Sequence, residues 1–140
     1  MDTVNLGRTG LRVSRACLGT MTFGRQADEA EATRIVDRAL DAGVTFLDTA
    51  DAYPIPPDIE TNGLTEEILG RIIAGRRERV VLATKCHFPM GPTPHQRGNG
   101  RLHIRRSVEA SLRRLQTDWI DLFQVHQMDP HTPVEETLDV

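Results

Sequence analysis

A repeated alternation of short apolar runs with helical patterns constrains the fold of this chain most strongly. Apolar runs typical of β-strands occupy residues 15–18, 44–47, 79–84 and 120–125. The segments between them carry apolar residues at the spacing of one face of an α-helix. Strands of continuous apolar character that alternate with amphipathic helices form parallel sheets covered by helices. The sequence therefore predicts an α/β fold.

Local signals predict where the first elements begin and end. Two short apolar runs flank the Gly7–Gly10 turn, which predicts a β-hairpin over residues 3–13. Asp28 and Glu31 have the spacing of a helix N-cap and the carboxylate that follows it, and Gly43 occupies the place of a C-terminal glycine. These signals bound the first helix.

Three more helices follow from the same kind of signal. Thr65 is expected to cap the second, and Gly75 to end it. The third is expected over about residues 102–115. Its expected buried side consists of Ile104, Val108, Leu112 and Leu115. Thr132 is followed by Pro133 and Glu135 in the pattern of a capping box, which predicts a fourth helix start.

Two architectures compete for such an alternation: an open doubly wound sheet and a (β/α)8 TIM barrel. The Gly-x-Gly-x-x-Gly turn of a dinucleotide-binding sheet is absent after the first core strand, which favours the barrel. A barrel needs about 250 residues, whereas this chain has 140. We therefore expect a single domain, residues 1–140, that corresponds to the N-terminal half of a barrel.

Composition excludes several classes of function. The net charge of −3 disfavours a nucleic-acid binder. Arginines do cluster on the expected third helix, but a solvent-exposed outer face is the simpler interpretation of that cluster. No apolar run is long enough to span a bilayer, and residues 1–10 do not resemble a signal peptide. Two cysteines make no disulfide framework, so we expect a reduced, cytoplasmic protein.

Ionisable side chains follow three neighbouring apolar runs. Asp48, Lys85 and His126 each come at the end of an expected strand, about 40 residues apart, which is one βα unit. Successive parallel strands lie side by side, so these groups should meet at the carboxyl edge of the sheet, where barrel enzymes place catalytic residues. Tyr53 lies on the loop after Asp48. Lys85 is the only lysine of the chain and Tyr53 the only tyrosine.

Each of these residues also has a purely structural interpretation. Asp48 could cap a strand, Lys85 could be a surface lysine, His126 a hydrogen-bonded core residue and Tyr53 a packed loop residue. Because all four converge on one edge, we favour a functional site. A lysine ammonium lowers the pKa of a nearby tyrosine, and an aspartate keeps the lysine charged. With a histidine that orients a carbonyl oxygen, the set suits hydride addition to an aldehyde or ketone, and a nicotinamide cofactor is implied.

The sequence resembles the aldo-keto reductase family over essentially its whole length. The resemblance is carried by six segments: Leu6–Ser14, Leu18–Gly24, Gly43–Tyr53, Leu82–Lys85, Ser111–Leu115 and Asp118–His126. It implies a (β/α)8 barrel that uses NADPH to reduce a small carbonyl substrate. It also implies that Tyr53 is the general acid, that Lys85 lowers its pKa, that Asp48 pairs with Lys85 and that His126 positions the carbonyl.

The resemblance further implies cofactor and substrate contacts. Gly19, Thr20, Met21 and Asp48 would line the nicotinamide end of the cofactor site, and Phe23 and Phe88 would wall the substrate pocket. No metal is expected. The usual glycine after the catalytic tyrosine is replaced by Pro54, which opens a longer loop to Gly63 and resembles a bacterial branch of the family. The segment 88–100 is interpreted equally as a substrate-side wall or as a flexible connector.

Three functional hypotheses remain open on the sequence alone. The first is an NADPH-dependent reductase represented by its N-terminal half, whose main cofactor contacts would come from later strands. The second is a non-catalytic, cofactor-sensing subunit of the same superfamily. The third is an inactive truncated relic. A half barrel also leaves two sheet edges open, so three alternatives stand: a fragment of a longer protein, self-association of two copies through those edges, or an inactive product.

Overall fold

A computed structural model describes all residues from 1 to 140 as a four-stranded parallel sheet with helices on one side. A two-stranded antiparallel hairpin, β1 (Thr3–Asn5) and β2 (Arg12–Ser14), precedes the sheet. The sheet contains β3 (Cys17–Gly19), β4 (Phe46–Asp48), β5 (Val81–Cys86) and β6 (Leu122–Val125), paired in chain order. The connecting helices are α1 (Glu29–Asp41), α2 (Leu64–Ile73) and α3 (Arg101–Leu115), and α4 (Val134–Leu138) follows β6.

This arrangement confirms the predicted α/β class. Four parallel strands in sequential order, each followed by a helix, are the first four units of a (β/α)8 barrel, and here they form an open sheet. The outer edges of the sheet are β3 and β6. No helix combines the length and the apolar character that crossing a bilayer requires.

The ends of α1 follow the predicted signals. The Asp28 carboxylate accepts a hydrogen bond of 2.8 Å from the Glu31 N–H, which satisfies one of the free donors of the first turn. Gly43 adopts a φ of +79° just after the helix. Its N–H donates to the Leu40 carbonyl, and the next N–H, of Val44, donates to the Ala39 carbonyl. This pair of bonds is a Schellman motif, which a left-handed glycine permits.

The predicted cap of α2 is wrong. Gly63, with a φ of +90°, occupies the N-cap position, and Thr65 lies inside the first turn. Thr65 is fully buried, and its hydroxyl donates to the Phe23 carbonyl over 2.8 Å. The side chain therefore ties α2 to the loop after β3 instead of capping its own helix.

The predicted buried side of α3 is partly wrong. Ile104 and Leu115 are buried as expected, whereas Val108 and Leu112 are only partly buried. The remaining buried positions are polar: His103, Ser107 and Ser111. The helices α2 and α3 approach closely at Gly70, where a Cβ atom would lie 2.8 Å from the Leu115 backbone.

Two shorter elements also differ from the predictions. Thr132 does not cap α4, because its hydroxyl donates to the Asp129 carboxylate and Pro133 holds the cap position. Residues Arg77–Arg79 form a 3₁₀ turn, so β5 begins at Val81 and not at Arg79. The core lies between the sheet and the helices α1 and α2. It consists of Phe23, Ala27, Ala32, Val36, Leu40, Leu47, Ile68, Leu69, Ile72, Ile73, Val80, Leu82 and Leu115.

Candidate active site

The carboxyl edge of the sheet brings together the four side chains predicted to act together. Asp48 is the last residue of β4, Lys85 the next to last of β5, and His126 follows β6 directly. The parallel register pairs Asp48 with Ala83 and Lys85 with Gln124, which places the strand ends side by side. Tyr53 lies on the loop after β4, and its N–H donates to the Ala50 carbonyl.

A close ion pair joins two of these residues. The Lys85 Nζ donates to Asp48 Oδ2 over 2.6 Å and to the Thr49 carbonyl over 2.7 Å. The exposed fractions of the two side chains are 14 % for Lys85 and 27 % for Asp48. A lysine this enclosed needs its counter-ion and its carbonyl acceptor to stay charged. The arrangement therefore holds a positive charge at the strand ends.

That charge lies beside the tyrosine. The Lys85 Nζ is 5.0 Å from the centroid of the Tyr53 ring, and only 9 % of Tyr53 is exposed. The His126 ring meets the Tyr53 ring edge to face, with 5.7 Å between the centroids. The Tyr53 ring is thus in contact with both an ammonium group and an imidazole.

His126 is held by contacts on two sides. Its backbone N–H donates to the Cys86 carbonyl over 2.8 Å. Its ring packs edge to face against the Phe88 ring, with 4.9 Å between the centroids. Burial, followed by the positive charge of Lys85, lowers the pKa of His126. Its Nδ1 atom is buried and has no partner. A neutral imidazole is the form that this position favours, and it can donate one hydrogen bond to a carbonyl oxygen.

Sequence reasoning missed Gln124. Its Nε2 donates to Asp48 Oδ1 over 3.3 Å, so donors from β5 and β6 bind the two carboxylate oxygens of Asp48 separately. Gln124 stands opposite Lys85 in the register, two positions before His126. The period-two alternation of side chains along β6 could have indicated that Gln124 and His126 share a face.

The residues expected at the cofactor site divide into two groups. Gly19 and Met21 are exposed, and the space around a Cβ at Gly19 is empty to 4 Å. Thr20 differs from the expectation, because it is fully buried and its hydroxyl donates to the Asp48 carbonyl over 2.9 Å. It can position Asp48 but cannot line a site from this location.

Of the two residues expected at the substrate pocket, only Phe88 lies near the site. Phe88 contacts His126 and lines a cavity of 780 Å³ between the loops after β5 and β6. The expectation for Phe23 is wrong, because its side chain is 2 % exposed and belongs to the core. The Phe23 ring, on the loop after β3, points into the core and so does not line a pocket.

Both long loops are fixed by hydrogen bonds. The loop that begins at Pro54 is bound by Ile55, whose N–H donates to the Met21 carbonyl, and by Asn62, whose amide donates to the Pro89 carbonyl. The 88–100 segment closes where Gly98 donates to the His87 carbonyl over 2.7 Å. These contacts connect both loops to neighbouring segments of the chain.

Asp129, on the loop after β6, also lines this cavity and accepts several hydrogen bonds there. Its carboxylate accepts from the backbone N–H groups of Asn99 and His131 and from the Thr132 hydroxyl. These bonds, led by the one from Asn99, lower the pKa of Asp129 to about 2. No group of three or more His, Cys, Asp or Glu residues is arranged to hold a metal ion.

Comparisons with known proteins point to one family. Residues 15–140 match the model of the aldo/keto reductase family. The chain is 51 % identical over 144 residues to an uncharacterized oxidoreductase, YrpG, of Bacillus subtilis, covering 97 % of this chain and 43 % of that protein. It is 40 % identical to aldo-keto reductase YhdN of the same organism, covering 100 % of this chain and 42 % of that protein.

A relative whose name describes a different role matches as well. A probable voltage-gated potassium channel subunit beta of Arabidopsis thaliana is 41 % identical over 142 residues, covering 99 % of this chain and 41 % of that protein. The chain thus spans about two fifths of the length of the curated relatives it matches.

Proposed function

Since this chain belongs to the aldo/keto reductase family, we propose that it carries the proton-donating half of a reductase site, which converts an aldehyde or ketone to an alcohol with NADPH. The observation that supports this most directly is the position of Lys85. Its ammonium group is bound to Asp48 at 2.6 Å and lies 5.0 Å from the Tyr53 ring. That geometry fits a tyrosine that donates its proton beside a fixed positive charge.

The proposed proton transfer uses this chain's own residues. Asp48 binds the Lys85 ammonium group, which places a positive charge next to the Tyr53 ring, where negative charge develops as the proton leaves. Tyr53 then gives its proton to the carbonyl oxygen as general acid. Neutral His126 donates a hydrogen bond to the same oxygen and orients it, since its ring stands edge to face against Tyr53. Phe88 keeps the imidazole in place from the other side.

The open surface beside Gly19 and Met21, next to Asp48, is the proposed place of the nicotinamide end of NADPH. When bound there, NADPH would supply the hydride that no amino-acid side chain can provide. Thr20 contributes by fixing Asp48, through donation from both its hydroxyl and its N–H to the Asp48 carbonyl.

The open edges of the sheet suggest how the domain is completed. Strands β3 and β6 each present unpaired backbone groups to one side, which favours strand addition. We propose that these edges are covered in the working protein, by further chain or by a second copy. The two free cysteines fit a reducing compartment, and we place the protein in the cytoplasm.

A second candidate function is a cofactor-binding subunit without turnover. The 41 % identity to a probable potassium channel subunit beta favours it. Retention of Asp48, Tyr53, Lys85 and His126 in bonding geometry favours the reductase. A single-turnover measurement with prebound NADPH separates the two, because only a reductase oxidises the cofactor when a carbonyl compound is added.

The test of the proposal is Tyr53→Phe in the protein expressed in full length from its gene. We expect carbonyl reduction to fall by at least about a hundredfold, as for loss of a general acid, with NADPH affinity changed by less than about threefold. Thr33→Ala is the matched control, because it also removes one hydroxyl, from the exposed face of α1. An equal loss of NADPH affinity in Tyr53→Phe would contradict the assigned role.

A further inference from the structure

A second cavity lies outside the reductase site, between α3 and the loop after β5. Its volume is 320 Å³, and none of the four reductase residues lines it. The residues of α3 that face it recur at helical spacing, from His103 to Arg114. The small side chains of Ser107 and Ala110 leave room on that face, and the opposite side is formed by Met90, His95 and Gln96.

Two arginines on the rim of this cavity are free. Arg106 and Arg113 are exposed, line the cavity and make no side-chain hydrogen bond or ion pair. Arg114 behaves differently, because its Nε donates to the buried Glu66 carboxylate over 2.6 Å. Glu109, on the same helix, is exposed and forms no ion pair. The rim therefore carries two positive charges that form no ion pair within the protein.

The floor of the cavity is formed by the buried carboxyl group of Asp51. Asp51 is fully buried, and neither of its carboxylate oxygens has a partner in good hydrogen-bond geometry, although the Ala52 N–H and the Ser107 hydroxyl lower its pKa. Burial, followed by the nearby Glu66 carboxylate, raises the pKa of Asp51 to about 7. At pH 7 about half of the Asp51 carboxyl groups are therefore protonated. A bound anion above Asp51 would meet two guanidinium groups and a floor that carries only part of a negative charge.

The loop that closes the cavity is held by its own hydrogen bonds. The Met90 N–H donates to the Gln96 carbonyl over 2.8 Å, and the Thr93 hydroxyl donates to Gln96 Oε1 over 2.8 Å. A Cβ atom at Gly91 would collide with the Gln96 side chain, so the loop packs closely there. This side of the cavity therefore exists before any ligand arrives, which lowers the entropy cost of binding.

We propose that this cavity binds the phosphate group of a small phosphorylated molecule. Arginine presents a planar fork of donors that matches phosphate oxygens in pairs, and two such groups suit a dianion. The volume accommodates the phosphate together with a few carbon atoms. The site is independent of the reductase proposal, because it shares no side chain with Asp48, Tyr53, Lys85 or His126.

Calorimetric titration of the full-length protein with inorganic phosphate, at low ionic strength, tests this assignment. We expect saturable binding at one site, weakened at least about tenfold by the double substitution Arg106→Gln and Arg113→Gln, which removes two charged donors. Arg105→Gln is the matched control: this arginine is also exposed on α3 but lies outside the cavity. It should change the affinity by less than about twofold.

A cavity-filling variant distinguishes phosphate bound inside the cavity from phosphate attracted non-specifically to the surface arginines. Ala110→Leu leaves every charge in place and fills the space between the arginines, so phosphate binding should be lost while circular dichroism shows an unchanged fold. Unchanged binding in Ala110→Leu, equal weakening in Arg105→Gln, or no saturable heat with the unaltered protein would each overturn the proposal.

Discussion

Replacement of Asp51 by Asn should change how stability depends on pH. Asp51 is fully buried without a partner in good hydrogen-bond geometry, and Glu66 and Arg114 are the charged groups that act on it. Its pKa is raised from 3.8 to about 7, mainly by burial. Asparagine has nearly the same shape and carries no proton to gain or lose. The substitution therefore removes one titration and little else.

The magnitude follows from the two pKa values. Because the folded state holds the Asp51 proton more tightly than the unfolded chain, its contribution is fully present below pH 3.8 and is lost as the pH rises through about 7. The full difference corresponds to about 4 kcal/mol, of which about 3 kcal/mol falls between about pH 4.5 and 8. Relative to the unaltered protein, Asp51→Asn should become more stable by that amount across this range.

Urea unfolding of both proteins at a series of pH values measures this difference directly. Other titrating groups, including His103 and His126, are common to both proteins and cancel. Asp118→Asn, at an exposed aspartate outside the buried cluster, is the matched control and should show no such trend. A constant difference between Asp51→Asn and the unaltered protein from about pH 4.5 to 8 would refute the reasoning.

Three other substitutions test the packing and the site. Gly70→Ala should destabilise the protein by ~3 kcal/mol in thermal unfolding, because the added Cβ would meet the Leu115 backbone at 2.8 Å. Unchanged stability, with α3 shifted to make room, would contradict this. Leu69→Ala, in the core, should cost ~2–5 kcal/mol in urea unfolding; a cost below ~1 kcal/mol would be inconsistent with full burial. Gln124→Leu should lower kcat for carbonyl reduction about tenfold with little change in KM, since Asp48 loses a donor, and an unchanged kcat would exclude a role in positioning Asp48.

Much of the fold could be predicted because the signals are local. The apolar runs and helical spacings place β3 to β6 and α1 to α3 to within a few residues. The cap at Asp28 and the glycine at 43 depend only on neighbours along the chain. The meeting of Asp48 and Lys85 follows from parallel strands in sequential order, which the alternation itself implies.

The wrong predictions share a physical cause: contacts between distant segments. Thr65 fits a helix cap locally, but the Phe23 carbonyl lies within reach and takes its hydroxyl. Thr20 and Phe23 follow a strand whose loop turns inward, so both are buried. The end of α3 packs closely on Gly70 of α2 at Leu115, and no pattern within α3 encodes that approach.

Transfer of deuterium from 4-deuterated NADPH to a carbonyl substrate tests the central claim most directly. The full-length protein, loaded with the labelled cofactor, is mixed with a panel of aldehydes and ketones, and the alcohols are analysed by mass spectrometry. The reductase account predicts deuterium on the carbinol carbon with the unaltered protein and its loss, at retained cofactor binding, when Lys85 is replaced by Met. Tight cofactor binding without any transfer in a single turnover would contradict the account and identify a cofactor-binding subunit instead.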